Sequence, residues 1–205
     1  MIRSIKPSIV FALLAVVFAA GCATRPANPN LPNLISESEY YHSVDKFTDR
    51  KQVYDGFYAT MELSATLMNT KVSRNQIDQN ARIYQWDETK YLNEKSRVES
   101  DLAKQSEVFL SFFVPERKHD DLHKPKTSWK VFLDAGGKRY EGKAEKMKTL
   151  FAEVQTLYPK HNRWSTPYKV IFPVPITYIE NADSKMTLTG PVGSTSVSFK
   201  SIAPQ

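Results

Sequence analysis

Residues Phe57 to Leu67 read FYATMELSATL, and this stretch decides the fold. Phe57, Ala59, Met61, Leu63, Ala65 and Leu67 are apolar, while Tyr58, Thr60, Glu62, Ser64 and Thr66 occupy the positions between them. A period of two kept without a slip is a β-strand with one face buried. The chain is therefore expected to be built on a sheet, with this strand as its first.

Downstream the period changes. Ser73 and Gln76 have the spacing of a capping box, and Ile77, Ala81, Tyr84, Tyr91, Val98 and Leu102 follow at helical intervals. With no Gly or Pro from Ser73 to Val114, the spacing predicts one long helix over about 73–104 with a single apolar stripe. That stripe packs across the sheet or docks a partner helix.

Strands then return. Val108 to Val114 (VFLSFFV) is apolar almost throughout, as a strand buried on both faces requires. Trp129, Val131 and Leu133 alternate, and Gly136-Gly137 can turn tightly into a strand over Lys138 to Met147. A short helix is expected over 149–158 and a strand at Tyr168, Val170 and Phe172. Gly190-Pro191-Val192-Gly193 closes a final hairpin. Six or seven short strands without strand–helix alternation predict a mostly β, Ig-like antiparallel β-sandwich with one helical insertion after the first strand.

Composition bounds the rest. In 205 residues, 41% hydrophobic and 24% charged content exclude a disordered chain and a multi-span membrane protein. One cysteine excludes an intrachain disulfide framework and a four-cysteine zinc site. A formal charge of +6, reduced if Arg3 and Lys6 are cleaved away, is too mild for a nucleic-acid footprint.

Those two cations precede an apolar run, Ile9 to Ala20. Its twelve residues would span roughly 18 Å as a helix, short of a hydrocarbon core of about 30 Å, so the run reads as a signal peptide. It ends in Ala19-Ala20-Gly21-Cys22, which resembles the lipobox of bacterial lipoproteins. The resemblance implies cleavage after Gly21 and a covalent lipid on the Cys22 thiol, with no other cofactor. Ala23, where an aspartate would favour inner-membrane retention, points to the outer membrane, facing the periplasm. Pro26, Pro29 and Pro32 then recur every third residue, the repeat of an extended polyproline II spacer. The expected organisation is a signal peptide at 1–21, a lipidated tether at 22–38 and one sandwich domain at 39–205. Tyr40 and Tyr41 mark entry into that domain or a membrane interface.

FLSFFVPERK (109–118), DLHKPKTSWKVFL (121–133), YKVIFP (168–173) and MTLTGPVG (186–193) are also similar to a group of uncharacterised envelope lipoproteins of Gram-negative bacteria. These are core and turn residues, so the resemblance implies the Ig-like sandwich with its helical insertion and no activity.

Catalytic signatures are missing: there is no GxSxG, HExxH, GxxxxGK or GxGxxG. His42, His119, His123 and His161 are too scattered to suggest a serine triad. Two segments carry candidate chemistry. In PERKHDDLHKPK, His119, Asp120, Asp121 and His123, with Glu116 nearby, could supply metal ligands, against the alternative of a solvated loop. In PKHNRWSTP, Arg163 and Trp164 could form an exposed cationic–aromatic anchor, unless Trp164 folds back as a plug. The reading is a membrane-anchored, non-catalytic binding or accessory module for another envelope component, with an envelope protein as the expected partner. A periplasmic carrier or sensor of a small ligand or metal is the alternative, and an envelope hydrolase ranks below both.

Overall fold

A computed structural model describes residues 34–202. The stretch expected to be a signal peptide, Cys22 as the expected lipid site, and the prolines of the expected spacer lie outside the described residues. The chain forms helix α1 (Glu37–Lys46) and strands β1 (Thr48–Asp55) and β2 (Tyr58–Leu67). Helices α2 (Thr70–Tyr84) and α3 (Glu88–Leu102) precede β3 (Ser106–Phe113), β4 (Lys130–Ala135) and β5 (Lys138–Lys146). Helix α4 (Phe151–Leu157), β6 (Thr166–Phe172), the single turn α5 (Thr177–Glu180), β7 (Ser184–Gly190) and β8 (Gly193–Phe199) complete it. Helix α1 thus begins inside the segment expected to be tether, with the Ser36 hydroxyl accepting from the amide of Glu39.

The strands form one antiparallel sheet in the order β1-β2-β3-β6-β5-β4-β7-β8, not an Ig-like sandwich. A sandwich needs two sheets with separate edges. Here β5 belongs to both halves: Lys138–Gly142 pair with β4, and Lys143–Lys146 pair with β6. Gly142 sits at this change of partner, directly over the Phe172 ring, where any side chain would collide. The sheet therefore curls into a nearly closed barrel. At the seam between its two end strands, the Ser198 amide donates to Asp49 at 3.0 Å.

Met61, Leu63, Ala65 and Leu67 of β2 all face the barrel core, as their spacing predicts. Val108, Leu110 and Phe112 of β3 join them with Tyr168, Val170 and Phe172 of β6. A second apolar cluster lies outside the barrel, where Tyr40, Val44, Val72 and Val154 cover Phe109 and Tyr158. The Phe109 and Tyr158 rings stack there at 3.5 Å. Each such side chain contributes roughly 1.5–3 kcal/mol by leaving water. Tyr40 is an interior residue, its hydroxyl donating to the Leu157 carbonyl at 2.8 Å.

The long helix is two helices. Gln85 adopts a left-handed conformation (φ 50°), and Asp87 accepts from the Lys90 amide at 2.7 Å to start α3 anew. The first helix begins at Thr70, three residues before the expected start, because Asn69 supplies its cap, accepting from Val72 at 2.9 Å. Asp78 joins the pair to the incoming chain: it accepts from Tyr91 of α3 and from the Ile35 amide. Burial and this carboxylate push the Tyr91 pKa up to about 12. The helical excursion also follows the second strand, because β1 precedes the stretch read as first. No helix among the described residues is long and apolar enough to cross a membrane.

Candidate functional site

The β1–β2 turn exposes apolar surface. Gly56, at φ 58°, takes the first position of a two-residue turn and Phe57 the second, the arrangement of a type II′ hairpin. A register shift after Val53 leaves Thr60 without a partner and bends the hairpin near its tip. Phe57 is consequently 100% exposed and Tyr58 81%. The alternation predicts Phe57 on the buried face of its strand; the Asp55-Gly56 dipeptide is the sequence signal that places it in the turn instead.

Tyr58, Ala59 and Thr60 share a shallow cleft of about 240 Å³ with Val114, Pro115 and Val192. Just beyond Pro115, the Arg117 guanidinium donates to the Trp164 carbonyl at 3.0 Å. The Phe57 tip and the 159–167 loop therefore flank the 114–117 segment on one rim of the barrel. Asn162 holds that loop: its side-chain oxygen accepts from the amides of Trp164 and Ser165 at 2.9 and 3.0 Å. Trp164 is 65% exposed and Arg163 also faces solvent. Trp164 is thus a ring held outward on a fixed loop and not a plug.

The residues proposed as metal ligands are brought into one segment but not around one point. Asp120 accepts from the hydroxyls of Thr166 at 2.5 Å and Tyr168 at 2.9 Å. Burial, followed by the Asp120 charge, pushes the Tyr168 phenol well above its ordinary range. Asp121 accepts from Thr127 at 3.1 Å, and the His119 carbonyl accepts from the Trp129 indole at 2.8 Å. The His123 ring lies 3.4 Å from the Tyr168 hydroxyl. Among the described residues, no group of three or more His, Cys, Asp or Glu is placed to hold a metal ion. These side chains strap the β3–β4 connection onto the barrel, seating Leu122 and Trp129 in its core.

One pair escaped sequence reasoning. Ser111 of β3 and His161, fifty residues apart in the chain, meet with Oγ and Nδ1 2.7 Å apart. Both are 3% exposed, and the imidazole packs against the rings of Phe109 and Phe151. Burial lowers the His161 pKa, favouring the neutral ring. The pair resembles half of a serine triad in composition, but its hydroxyl offers a substrate no approach. Its role is to pin the 158–162 turn to β3.

No protein-family model, curated protein or solved structure matches this chain.

Proposed function

We propose that this chain is a lipid-anchored protein of the bacterial cell envelope that recruits a protein partner through the aromatic rim of its barrel. The observation that carries the reading is that the fully exposed Phe57 tip and the exposed Trp164 ring lie on either side of the 114–117 segment. Solvent-facing aromatics held on fixed turns lose little side-chain freedom on binding, and such residues dominate the energetics of protein interfaces. Arg163 and Arg117 beside them supply cationic, hydrogen-bonding groups for the periphery of the contact.

The sequence supports the anchoring half. A lipid on Cys22 would hold the protein at the membrane, most simply the outer membrane facing the periplasm. The spacer, extending at about 3.1 Å per residue, would let the barrel reach a partner tens of ångströms away. On this reading the chain is an accessory module and not an enzyme.

The test is site-specific photo-cross-linking in intact cells, with the reactive group at position 57 or 164 of the full-length chain. One discrete protein adduct is expected from both positions, weakened by Arg163→Glu and by Cys22→Ala. Adducts to lipid alone, or no adduct from either position, would overturn the reading.

A further inference from the structure

The barrel wall is open beside β5. Strand β4 pairs with β5 only as far as Gly142, so among the described residues Lys143–Lys146 have β6 on one edge and no strand on the other. The Met147 amide donates to the Pro167 carbonyl at 3.0 Å, which sets the phase of the ladder. Residues 143, 145 and 147 turn their backbone groups toward β6, and Ala144 and Lys146 turn theirs away from it. Among the described residues, no backbone hydrogen bond reaches the amides or carbonyls of Ala144 and Lys146.

This edge borders a groove of about 1020 Å³ that continues past His123 into a second of about 530 Å³. Half-buried Ile171 supplies apolar surface at the groove's side, and Leu122 and Ala144, almost wholly buried in the core, form its floor. Lys130 pairs with Glu141 at 2.5 Å, and Lys143 approaches Glu145 at 3.9 Å. Lys104, Lys124, Lys146 and Lys148 also line the groove, without a carboxylate partner among the described residues.

We propose that the free edge of β5 takes up an extended acidic peptide segment as an added strand. The two kinds of unmet demand select one occupant. The main-chain groups of Ala144 and Lys146, unpaired among the described residues, call for another extended backbone, and a lysine border with no carboxylate partner among those residues calls for carboxylates. The chain's own spacer fits neither demand, since residues 23–33 carry no Asp or Glu and have three prolines that cannot donate. A second copy of this basic chain would meet lysine with lysine, the arrangement that keeps sheet edges apart. The groove shares no lining residue with Phe57, Arg117, Arg163 or Trp164, so the proposal stands or falls independently of the aromatic rim.

The experiment uses the full-length protein and two N-acetylated hexapeptides, one alternating Glu and Val and one alternating Lys and Val. Binding is followed by fluorescence anisotropy and by amide hydrogen exchange. The Glu–Val peptide is expected to bind saturably and to slow exchange at Ala144 and Lys146. Lys124→Glu with Lys148→Glu, both solvent-facing, should weaken it about tenfold or more with unchanged melting temperature. Equal binding of the Lys–Val peptide, absence of saturation, or binding that leaves those two amides unprotected would overturn the proposal.

Discussion

Ser111 Oγ and His161 Nδ1 lie 2.7 Å apart, and burial holds the imidazole pKa below its ordinary value. In the unfolded chain the ring takes a proton near pH 6.5; in the folded chain it does so only at lower pH. The unfolded state therefore binds more protons between those two values, and stability falls as pH drops through that window. The slope from this group is at most about 1.4 kcal/mol per pH unit. Urea unfolding at pH 8 and pH 5 should show a loss in the native protein that is smaller in His161→Gln. An equal loss in both would show that the histidine is not buried in its neutral form.

Glu180, 5% exposed, accepts from both the amide and the hydroxyl of Thr70 at 2.8 Å. It thereby satisfies the first turn of α2 and locks α5 against it. Glu180→Ala should cost roughly 1–3 kcal/mol in denaturant unfolding by stranding those donors, with Glu180→Gln intermediate.

Gly190 lies against the Trp129 ring, where a Cβ would overlap Cε3. The indole cannot retreat freely, because its N–H is bonded to the His119 carbonyl. Gly190→Ala should destabilise by about 1–3 kcal/mol and shift tryptophan emission as the ring is displaced.

Phe57 and Trp164 face solvent, so Phe57→Ser and Trp164→Ala should each stay within about 0.5 kcal/mol of the native protein. Leu110→Ala, in the barrel core, should lose roughly 2–5 kcal/mol. A melting-temperature drop for Trp164→Ala comparable with that of Leu110→Ala would return the ring to a packing role and remove half of the proposed rim.

Asp120→Ala leaves the Tyr168 and Thr166 hydroxyls without their acceptor. A loss of roughly 1–3 kcal/mol is expected, the same with or without added zinc. A melting temperature raised by zinc in the native protein and not in the variant would restore metal binding to this segment.

The signals that proved legible were local ones. Alternation at Met61, Leu63, Ala65 and Leu67 and the apolar run around Leu110 arise from each residue's own environment, and both became strands. Strand β1 was missed because Thr48–Asp55 runs along the seam, largely exposed, and has Val53 as its one aliphatic residue. A strand whose faces both meet water carries no period. The helix break was hidden for a different reason. Tyr84 and Tyr91 stand seven residues apart, two helical turns, so the apolar stripe keeps its phase across the reversal at Gln85. Of the rim, Trp164 and Arg163 stood out as residue types between prolines, whereas Phe57 was absorbed into the strand that follows it.

From the sequence alone, strands β2 and β3 and the buried side of β2 were determined, because those preferences act within a few residues, whereas β1, α1 and the break at Gln85 were not. The sequence also contains Ala19-Ala20-Gly21-Cys22 and the prolines at 26, 29 and 32, on which the anchoring proposal rests. Whether the strands form two sheets or one curled sheet was decided only by the tertiary structure. An inward–outward alternation looks the same in a sandwich and in a barrel, and the difference lies in which distant backbones share hydrogen bonds. Strand β5 settles that choice by changing partners at Gly142. The same change opens the groove beside Ala144, and the meeting of Ser111 with His161 likewise depends on pairings that no local pattern encodes.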